Sequence, residues 1–321
     1  KRRRMIVCFG SASIDLFVRA ERLPSLGETV SGSRFARAFG GKGANQIVQA
    51  ALLGGRCRFV GRVGNSSDGA DIARNLSRLG VDVSLLDTSD AEPPGVALIE
   101  VEEHSGANRI VVVPGANARL LGAHLEAAAL SEAAFLLLQL EIPLSAVLHA
   151  LDSAPKRVKT VLNPSPVPER PEDRRALVER FGRGAFLVLN EHEAELFSGV
   201  AVRDTTSALE SCEKLLELGA RCIVLTLGKE GVVIRTREIG VAVPLKEKNV
   251  KVVDTTGAGD SFLGAFVYFL SLETAKEEEH YSKEVLVAAA EEAGRVASLS
   301  VGFEGCQPSY EEAAKIYTKK K

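Results

Sequence analysis

Short apolar runs alternate along the chain with longer stretches rich in alanine and leucine. Buried parallel strands are short, near-continuous apolar segments, so the short runs predict strands and the long stretches predict helices. The predicted strands are Met5–Phe9, Cys57–Arg62, Val83–Asp87, Phe135–Leu138, Thr160–Leu162, Phe186–Leu189 and Cys222–Leu227. The predicted helices include Gly43–Leu53, Gly69–Leu79, Ala258–Leu270 and Tyr281–Leu299. This alternation predicts an α/β fold in which helices cover both faces of a mostly parallel sheet.

Two β-rich segments, at about 14–38 and 95–113, interrupt the alternation. The strands expected within them are Glu28–Phe39, Val96–Glu102 and Arg109–Val113, the last two joined in a hairpin at Ser105-Gly106. Strands without intervening helices cannot easily join a parallel sheet, so we expect a separate small sheet that forms a lid over the main domain. The remaining expectations are an antiparallel pair within Gly231–Val243, turning at Arg237-Glu238, and a charged surface loop at 273–279.

Composition and charge limit the classes of function. The 321 residues suit one large α/β domain, and the apolar fraction of 45% is enough for a sizeable core. The 40 basic and 42 acidic residues give a net charge of −2, which provides no electrostatic drive for binding nucleic acid. No apolar run reaches the ~18 residues of a membrane span. Five scattered cysteines predict reduced, mostly buried thiols of a cytoplasmic protein. The basic residues 1–4 are interpreted as a solvated end of the chain.

The strongest chemical signal is the glycine-rich segment 252–262. A β-like run leads into Gly257-Ala258-Gly259, and a helix is predicted to begin near Asp260. Glycines let the backbone approach a ligand, and a helix start attracts anions, so the segment predicts an anion hole for a transferring phosphoryl group. Asp260 would repel a resting phosphate but suits a base that takes the proton of an attacking hydroxyl. Alternatively, Asp260 only caps the helix, and the residues themselves leave both interpretations open.

Two other phosphate-binding patterns do not fit. The chain contains no G-x-x-x-x-G-K-[ST] sequence. The dinucleotide pattern G-x-G-x-x-G would need glycine at position 262, where Phe262 stands. A dinucleotide-binding dehydrogenase would also usually carry its glycine loop near the start of the domain. Phosphoryl transfer without either pattern is therefore the better interpretation.

A second glycine-rich segment, Phe39–Gln46, lies near the N-terminus and also precedes a predicted helix. Its Lys42 and Asn45 offer an ammonium group and an amide, which suit the hydroxyls of a sugar. Asp15, which follows the turn after the first strand, could accept two hydroxyl hydrogen bonds. The alternatives are a tight turn with Lys42 in solvent and an aspartate that caps a turn.

The acidic segment Asn190–Glu195 follows a predicted strand, and ligands of open parallel sheets bind beyond the carboxyl ends of strands. Asn190 and Glu193 could hold Mg²⁺ through water, because this ion keeps several waters. His192 with Glu195 could indicate zinc, but the sequence offers no convincing further ligands. A solvated first helical turn is the alternative.

Two more predicted strands end in polar residues. They end at Gln139-Leu-Glu141 and at Thr226-Leu-Gly228. Because the carboxyl ends of parallel strands share one edge of a sheet, both segments lie where a ligand-facing loop belongs.

Taken in order, these segments resemble the ribokinase/PfkB family of sugar kinases. Phe39–Gln46 is similar to the family's first signature, Asp254–Asp260 to its second, and Asn190–Glu195 to its N-x-x-E magnesium motif. Glu28-Thr-Val and Gly305-Cys-Gln-Pro-Ser309 are further matching pieces. Several matches in one order, from position 10 to 309, are more specific than any single loop. The resemblance implies a Rossmann-like three-layer sandwich with a small β-sheet lid, in one catalytic domain spanning residues 1–321.

The resemblance also implies a role for each matching residue. The sugar-binding residues would be Ser13, Asp15, Gly41, Lys42, Gly43, Asn45, Glu141 and Asp260. The nucleotide-binding residues would be Asn190, Thr226, Gly228, Gly231 and Gly259. The catalytic group would be the base Asp260 with the anion hole of Gly257, Ala258 and Gly259, and Glu193 would hold Mg²⁺ through water. A monovalent cation, usually K⁺, would be bound by Asp254, Thr256, Ser300, Phe303, Gly305 and Ser309, several of them through backbone carbonyls.

The chain departs from the family pattern at two positions outside the catalytic loop. Bacterial members of the ribokinase branch commonly have asparagine where Ser13 stands, so this departure affects one of the implied contacts with the sugar. Near the adenine site, asparagine or histidine is usual where Gly294 aligns. Nothing in the catalytic loop departs from the pattern.

The function implied by the resemblance is that of a cytoplasmic kinase converting ATP and D-ribose to ADP and D-ribose 5-phosphate, with Mg²⁺ and K⁺ as cofactors. Many family members dimerise through their lids, so a homodimer is expected. Neither a nucleic acid nor a membrane is expected as a partner. One alternative is a kinase of a related sugar, deoxysugar or nucleoside. Another is a non-catalytic sugar-binding regulator, against which the intact Gly-Ala-Gly-Asp sequence argues, because binding alone does not require Asp260.

Overall fold

The computed structural model describes residues 4–88, 91–104, 107–126, 129–247, 250–273 and 281–319. In these ranges the chain forms two β-sheets. Their strands are β1 (Met5–Phe9), β2 (Ser13–Ala20), β3 (Gly32–Gly40), β4 (Arg56–Arg62), β5 (Val81–Asp87), β6 (Gly95–Glu102), β7 (Asn108–Val113), β8 (Ala133–Leu138), β9 (Lys159–Leu162), β10 (Phe186–Asn190), β11 (Ile223–Thr226), β12 (Val232–Arg235) and β13 (Gly240–Val243).

The larger sheet contains nine of these strands, in the order β13-β12-β11-β10-β9-β8-β1-β4-β5. The neighbours from β11 to β5 pair in parallel, whereas β12 and β13 are antiparallel additions at one edge. Both the mostly parallel sheet and the antiparallel pair after position 231 confirm the predictions. The short crossover helices between successive strands explain why the pairing is parallel.

Helices cover both faces of the larger sheet. In the described ranges they are α1 (Lys42–Leu52), α2 (Ser67–Arg78), α3 (Leu144–Ser153), α4 (Pro171–Val178), α5 (Glu191–Ser198), α6 (Thr205–Glu217), α7 (Ala258–Leu272), α8 (Lys283–Ser300) and α9 (Gln307–Lys319). One apolar core contains side chains of α1, α2 and α7 to α9, and the other contains those of α3 to α6. Alternate residues of β1 enter the two cores, as Ile6 and Val7 do, which confirms the predicted three layers. No helix within the described ranges is both long and apolar enough to cross a bilayer.

The smaller sheet has the order β3-β2-β6-β7, so the two interrupting segments do pair with each other. The β2–β3 and β6–β7 pairs are antiparallel. In contrast, β2 and β6 are parallel, and the chain crosses between them through α1, β4, α2 and β5 of the main domain. The predicted strand Glu28–Phe39 was placed too early. Glu28 lies in a turn, where its N–H donates to Ser25 O at 3.0 Å and its carboxylate pairs with Arg22.

Two other predicted boundaries differ from the structure. The β-like run before Gly257 is not a strand: the N–H groups of Val253 and Asp254 donate to Val301 O at 2.8 and 3.2 Å, so the end of α8 holds this segment. Helix α8 begins at Lys283 because Ser282 caps it through Val285 N. The predicted turn at 105–106 and residues 274–279 of the predicted surface loop lie outside the described residues.

Strand β1 lies inside the larger sheet, between β4 and β8. The chain moves from β1 to one side through β4 and β5, and later continues on the other side through β8 to β11. Open α/β sheets bind ligands beyond the carboxyl ends of their strands, beside such a switch of direction. The loops after β1, β8, β9, β10 and β11 therefore define where the functional site should be.

Candidate active site

Asp260 lies in the first turn of α7 and is only 8% exposed. The helix is capped by Gly257, so the interpretation of Asp260 as the N-cap is wrong. Its oxygens instead receive hydrogen bonds from two buried carboxamides of α1. Gln46 Nε2 donates to Oδ1 at 2.9 Å, and Asn45 Nδ2 donates to Oδ2 at 3.2 Å. An ionised carboxylate accepts both bonds, so the arrangement suits a base that is ready to take up a proton.

Gly257 adopts a left-handed backbone conformation, with φ of 77°. A Cβ atom there would lie 2.4 Å from Tyr310 Oη and 2.8 Å from Cys306 Sγ, so only glycine fits. Tyr310 Oη donates to Gly257 O at 2.6 Å. Burial raises the pKa of Tyr310 well above its ordinary value, so its hydroxyl remains a donor at neutral pH. The start of α7 is therefore fixed to α9 at the glycine loop.

A cavity of about 200 Å³ lies in front of this loop. Its polar lining includes Lys42, Asn163, Asn190, Glu193, Thr226 and Asp260. Gly257, Ala258 and Gly259 also line it, and a Cβ at Gly259 would meet no atom within 4 Å. Ala258 N donates to Thr255 O at 3.2 Å. The predicted anion hole and base thus face one cavity with residues from the ends of three strands, β9, β10 and β11.

The start of α1 is held against the loop that follows β1. Gly41 has φ of 90°, and a Cβ there would lie 2.7 Å from Ala12 Cα. The carboxylate of Glu141 accepts hydrogen bonds from Lys42 N at 2.8 Å and from Ser11 Oγ at 2.6 Å. Glu141 therefore fixes the backbone of the second glycine-rich segment, a contact that the sequence did not reveal.

Lys42 lines the cavity, so the interpretation that places it freely in solvent is wrong. Burial lowers the pKa of its ammonium group. The combined effect of Asp260, Glu141 and Glu193 in the opposite direction is larger, so the pKa of Lys42 lies above its ordinary value. Lys42 therefore stays charged at neutral pH among three carboxylates. Such a cation is suited to neutralise anionic oxygens that enter the cavity.

Asp15 is buried in β2, and the interpretation of it as a turn cap is wrong. Burial raises its pKa to about 6; the hydrogen bond from Ser13 Oγ, at 2.9 Å, opposes this, and Glu141 and Asp260 add to it. The carboxylate packs against Gly40, where a Cβ would lie 2.1 Å from Oδ2. Asp15 is thus a desolvated hydrogen-bond acceptor whose pKa is raised further by the neighbouring acids Glu141 and Asp260.

Asn190 and Glu193 form a capping box at the start of α5. Asn190 Oδ1 accepts from Glu193 N at 2.8 Å, and Glu193 Oε2 accepts from Asn190 N at 3.1 Å. Both residues also line the cavity, and Glu193 is buried, so the solvated-turn interpretation does not hold for it. Among the described residues, no group of three His, Cys, Asp or Glu side chains is placed to hold a metal ion.

Of the three residues predicted to bind nucleotide at and beyond the end of β11, only Thr226 lines the cavity. Its hydroxyl donates to Leu189 O at 3.3 Å, which ties β11 to β10. Gly228 and Gly231 form the next turn with φ of 51° and 105°, outside the cavity lining. A Cβ at Gly231 would lie 2.2 Å from Val243 O, so this glycine is required by the return into β12.

The two segments predicted to share a monovalent ion do meet in the structure. Asp254 Oδ2 accepts from Gly305 N at 2.9 Å, and Oδ1 accepts from Thr256 N at 2.9 Å. The other predicted ligands of this site are Ser300, Phe303 and Ser309. Both serine hydroxyls donate to carbonyl groups three residues earlier, at 2.8 and 2.7 Å. Asp254 therefore connects the glycine loop to the turn between α8 and α9.

Three residues at the site were not predicted. Asn163 follows β9 and lines the cavity, and its Oδ1 accepts from Gln46 Nε2 at 3.2 Å. The rule that ligands lie beyond strand ends would have identified Asn163. Gln46 and Tyr310 carried no such signal, because their contacts with the Asp260 loop come from distant helices.

The chain belongs to the pfkB family of carbohydrate kinases, whose profile matches residues 3–313. The ribokinase of Mus musculus is 38% identical over 308 residues, covering 95% of this chain and 91% of that protein. The deoxyribokinase of Salmonella typhi is 32% identical, and the match covers 95% of each. The structure of Arabidopsis thaliana ribokinase complexed with ribose and ATP has a TM-score of 0.82 at 28% identity, covering 98% of this chain and 99% of that one.

Proposed function

We propose that the chain transfers the γ-phosphoryl group of ATP to the primary hydroxyl of D-ribose, giving D-ribose 5-phosphate and ADP. The observation that carries this proposal is the buried Asp260 carboxylate, held by two amide donors beside the glycine loop that lines the cavity. Ribokinases among the relatives, one solved with ribose and ATP, support this pair of substrates.

In the proposed reaction, Asp260 takes the proton of the sugar hydroxyl. The hydroxyl oxygen forms a bond to the γ-phosphorus while the bond from that phosphorus to the bridging oxygen breaks, and ADP leaves with the bonding electrons. Lys42 and the N–H groups of Gly257 and Gly259 stabilise the charge on the transferring group, while the Ala258 N–H already donates to Thr255 O. The small sheet is proposed to act as a lid that excludes water.

The sugar is proposed to lie between β2 and the start of α1. Asp15 accepts hydrogen bonds from two of its hydroxyls, with Ser13 as a further contact, and Asn45 reaches it from α1. Gly41 and Gly43 are proposed to contact the sugar through their backbone, since the positions of their missing Cβ atoms are already occupied by Ala12 and Ser11. Glu141 is proposed to act mainly by holding this backbone, because its carboxylate already accepts from Lys42 N and Ser11 Oγ.

The nucleotide is proposed to enter beyond β10 and β11, along Asn190 and Thr226, with the Gly228 and Gly231 turn towards the adenosine. Mg²⁺ is held through water by Glu193, whose buried carboxylate and the amide oxygen of Asn190 are hard oxygen ligands that fit this ion. When bound, the ion neutralises charge on the phosphate oxygens.

A monovalent cation, K⁺, is proposed to bind where Asp254 joins the two loops. The ligands of this site would be Asp254, Thr256, Ser300, Phe303, Gly305 and Ser309. Carboxylate and carbonyl oxygens are hard ligands that an alkali cation accepts. The ion would hold the glycine loop in shape without contacting the sugar.

A homodimer is proposed to form through the small sheet. Strand β7 is an edge strand of this sheet, and Ile110, Val111, Val112 and Val113 are 55–62% exposed. Phe35 on β3 is also exposed. An exposed apolar edge is a strong candidate for pairing with a second copy. Sedimentation should give a dimer for the unmodified chain and a monomer for Val112→Lys.

The proposed location is the cytoplasm. All five cysteines are buried free thiols. Burial raises the pKa of Cys8 to about 12, so this thiol is also chemically inert. Protein thiols persist in reducing compartments and form disulfides in oxidising ones.

Coupled ADP release tests the proposed function when D-ribose, 2-deoxy-D-ribose, D-fructose and adenosine are compared at equal concentration. The highest kcat/KM is expected for D-ribose, with carbon NMR placing the phosphate on the primary hydroxyl. A deoxysugar kinase is the second candidate, supported by the deoxyribokinase relative. It predicts the highest kcat/KM for 2-deoxy-D-ribose. Sugar binding without ADP release from any substrate would instead indicate a non-catalytic regulator.

A further inference from the structure

The Asp260 carboxylate is the end point of two chains of buried carboxamide side chains. In the first chain, Gln139 Nε2 donates to Gln46 Oε1 at 2.7 Å, and Gln46 Nε2 donates to Asp260 Oδ1 at 2.9 Å. Both glutamines are fully buried. Gln139 follows β8, so this chain connects the carboxylate to the central sheet.

The second chain reaches the other oxygen from the opposite side. Asn75 Nδ2 donates to Gln307 Oε1 at 2.7 Å, and Gln307 Nε2 donates to Asn45 Oδ1 at 3.2 Å. Asn45 Nδ2 then donates to Asp260 Oδ2 at 3.2 Å. The three carboxamides come from α2, α9 and α1, and all are buried.

We propose that these chains are a positioning relay: the carboxamides behind the Asp260 carboxylate hold it in the orientation that accepts the proton of the sugar hydroxyl. The inference rests on the proposed kinase activity and adds Gln46, Gln139, Gln307 and Asn75 to the groups that support it. None of the last three touches Asp260, so each acts through a neighbour.

The direction of every hydrogen bond in the relay follows from the ionised carboxylate. A carboxylate has no donor, so Gln46 and Asn45 must turn their NH₂ groups towards it. Their carbonyl oxygens then face outward and require donors, which Gln139 and Gln307 supply. At the far end of the second chain, Arg78 Nη2 donates to Asn75 Oδ1 at 3.0 Å. Arginine cannot accept a hydrogen bond, so both ends of this chain impose the same direction.

The backbone around Gln139 is shaped to admit its side chain. A Cβ at Gly10 would lie 2.1 Å from Gln139 Oε1, and one at Gly43 would lie 3.0 Å from it. Gly43 belongs to the second glycine-rich segment, where the backbone of Ser11 lies closer still, 2.7 Å from such a Cβ, and Gln139 adds to the demand for glycine. Because a buried carboxamide costs free energy unless it is hydrogen-bonded, the connected chain is also the arrangement in which these groups are tolerated.

The test replaces relay carboxamides with methionine, which has a similar shape but neither donates nor accepts as an amide does. We expect Gln46→Met and Gln139→Met each to lower kcat by about tenfold to a hundredfold, the scale of a misplaced catalytic group. The KM values for sugar and ATP should change less than about twofold, because a positioning residue contributes to the transition state and not to ground-state binding. The matched control is Gln49→Met, also buried in α1, whose Oε1 accepts from Ser261 Oγ and not from the relay. Its kcat should stay within about twofold of the unmodified chain.

The double variant Gln46→Met/Gln139→Met gives the decisive measurement. In the relay Gln139 reaches Asp260 through Gln46, so the double variant should lose no more kcat than Gln46→Met alone. Losses that multiply, or single variants with unchanged kcat, would overturn the relay. If Gln139→Met does not fold, Gln307→Met in the second chain tests the relay through kcat and the KM for ATP, because its neighbour Asn45 is also a proposed sugar contact. Failure of the unmodified chain to phosphorylate any sugar would overturn the proposed function and the relay together, whereas active but unaffected variants would overturn the relay alone.

Discussion

Replacing Asp15 with asparagine should stabilise the folded protein while weakening the binding of sugar. Asp15 is buried, and its pKa is about 6 against an ordinary value of 3.8. The folded state therefore binds the proton more tightly than the unfolded state, and stability falls as pH rises between these two values. Asparagine removes the buried charge and keeps an oxygen that can accept from Ser13 Oγ.

The raised pKa sets the expected magnitude. The difference of about 2 pKa units corresponds to about 3 kcal/mol of stability that the unmodified chain lacks above pH 7. Urea unfolding of the ligand-free proteins should thus give a slightly larger free energy of unfolding for Asp15→Asn than for the unmodified chain at pH 4. The difference should grow to about 3 kcal/mol at pH 8. The KM for sugar should rise by about tenfold to a hundredfold, because hydrogen bonds to a charged acceptor are lost.

Asp82→Asn is the matched control. Burial raises the pKa of Asp82, but the Ser84 N–H and the Arg58 guanidinium outweigh this effect and hold the pKa below its ordinary value. Its stability contribution is therefore lost as pH falls, and the asparagine variant should be the less stable protein at neutral pH. An Asp15→Asn protein that is no more stable than the unmodified chain at pH 8, or an advantage that does not vary with pH, would refute the reasoning.

Four further outcomes are expected. Asp260→Asn should keep the fold by circular dichroism but lower kcat by about 10²–10⁴-fold, and near-normal turnover would exclude it as the base. Glu193→Gln should raise the Mg²⁺ concentration required for half-maximal rate without changing calorimetric sugar binding in the absence of nucleotide; an unchanged Mg²⁺ requirement would leave Glu193 only its capping role. K⁺ should activate more than Na⁺ or tetramethylammonium, and Asp254→Ala should abolish the difference, whereas equal rates in all three chlorides would exclude the proposed ion site. Tyr310→Phe should lower kcat by about threefold to tenfold through loss of the hydrogen bond to Gly257 O, with the Kd for ADP unchanged; a changed Kd would place the effect in nucleotide binding.

The strands and the two glycine loops could be predicted from the sequence because each is a local pattern. An apolar run such as that of β1 is buried whatever its neighbours are, and the turn at Gly257 needs a residue that tolerates positive φ. The error at Glu28 has a local cause too: the Thr and Val that follow it favour strand formation, but Arg22 and Ser25 hold it in a turn.

The contacts that hold the candidate site together could not be predicted in the same way. Glu141 accepts from Lys42 N, and Gln307 donates to Asn45, although these partners are 99 and 262 residues apart in the chain. No spacing rule connects such positions, because the distance between them depends on the order of strands and the packing of α9 on α1. Asn190 and Glu193 show a second difficulty, since one short motif serves both as a helix cap and as part of the cavity lining.

The relay also offers a reason why the two side chains that donate to the proposed base are neutral amides and not cations. Glu141 and Asp260 raise the pKa of Asp15. Asp260, Glu141 and Glu193 all act on Lys42, which is the only cation lining the cavity formed by the described residues. An arginine in place of Gln46 would orient the Asp260 carboxylate equally well, but a nearby positive charge would make it a weaker base. Such a cation would also attract the phosphate of the product. Carboxamides give the carboxylate direction with a smaller loss of basicity than a full positive charge would cause, and they carry no charge that attracts phosphate. Burying them requires the connected chains that the structure provides.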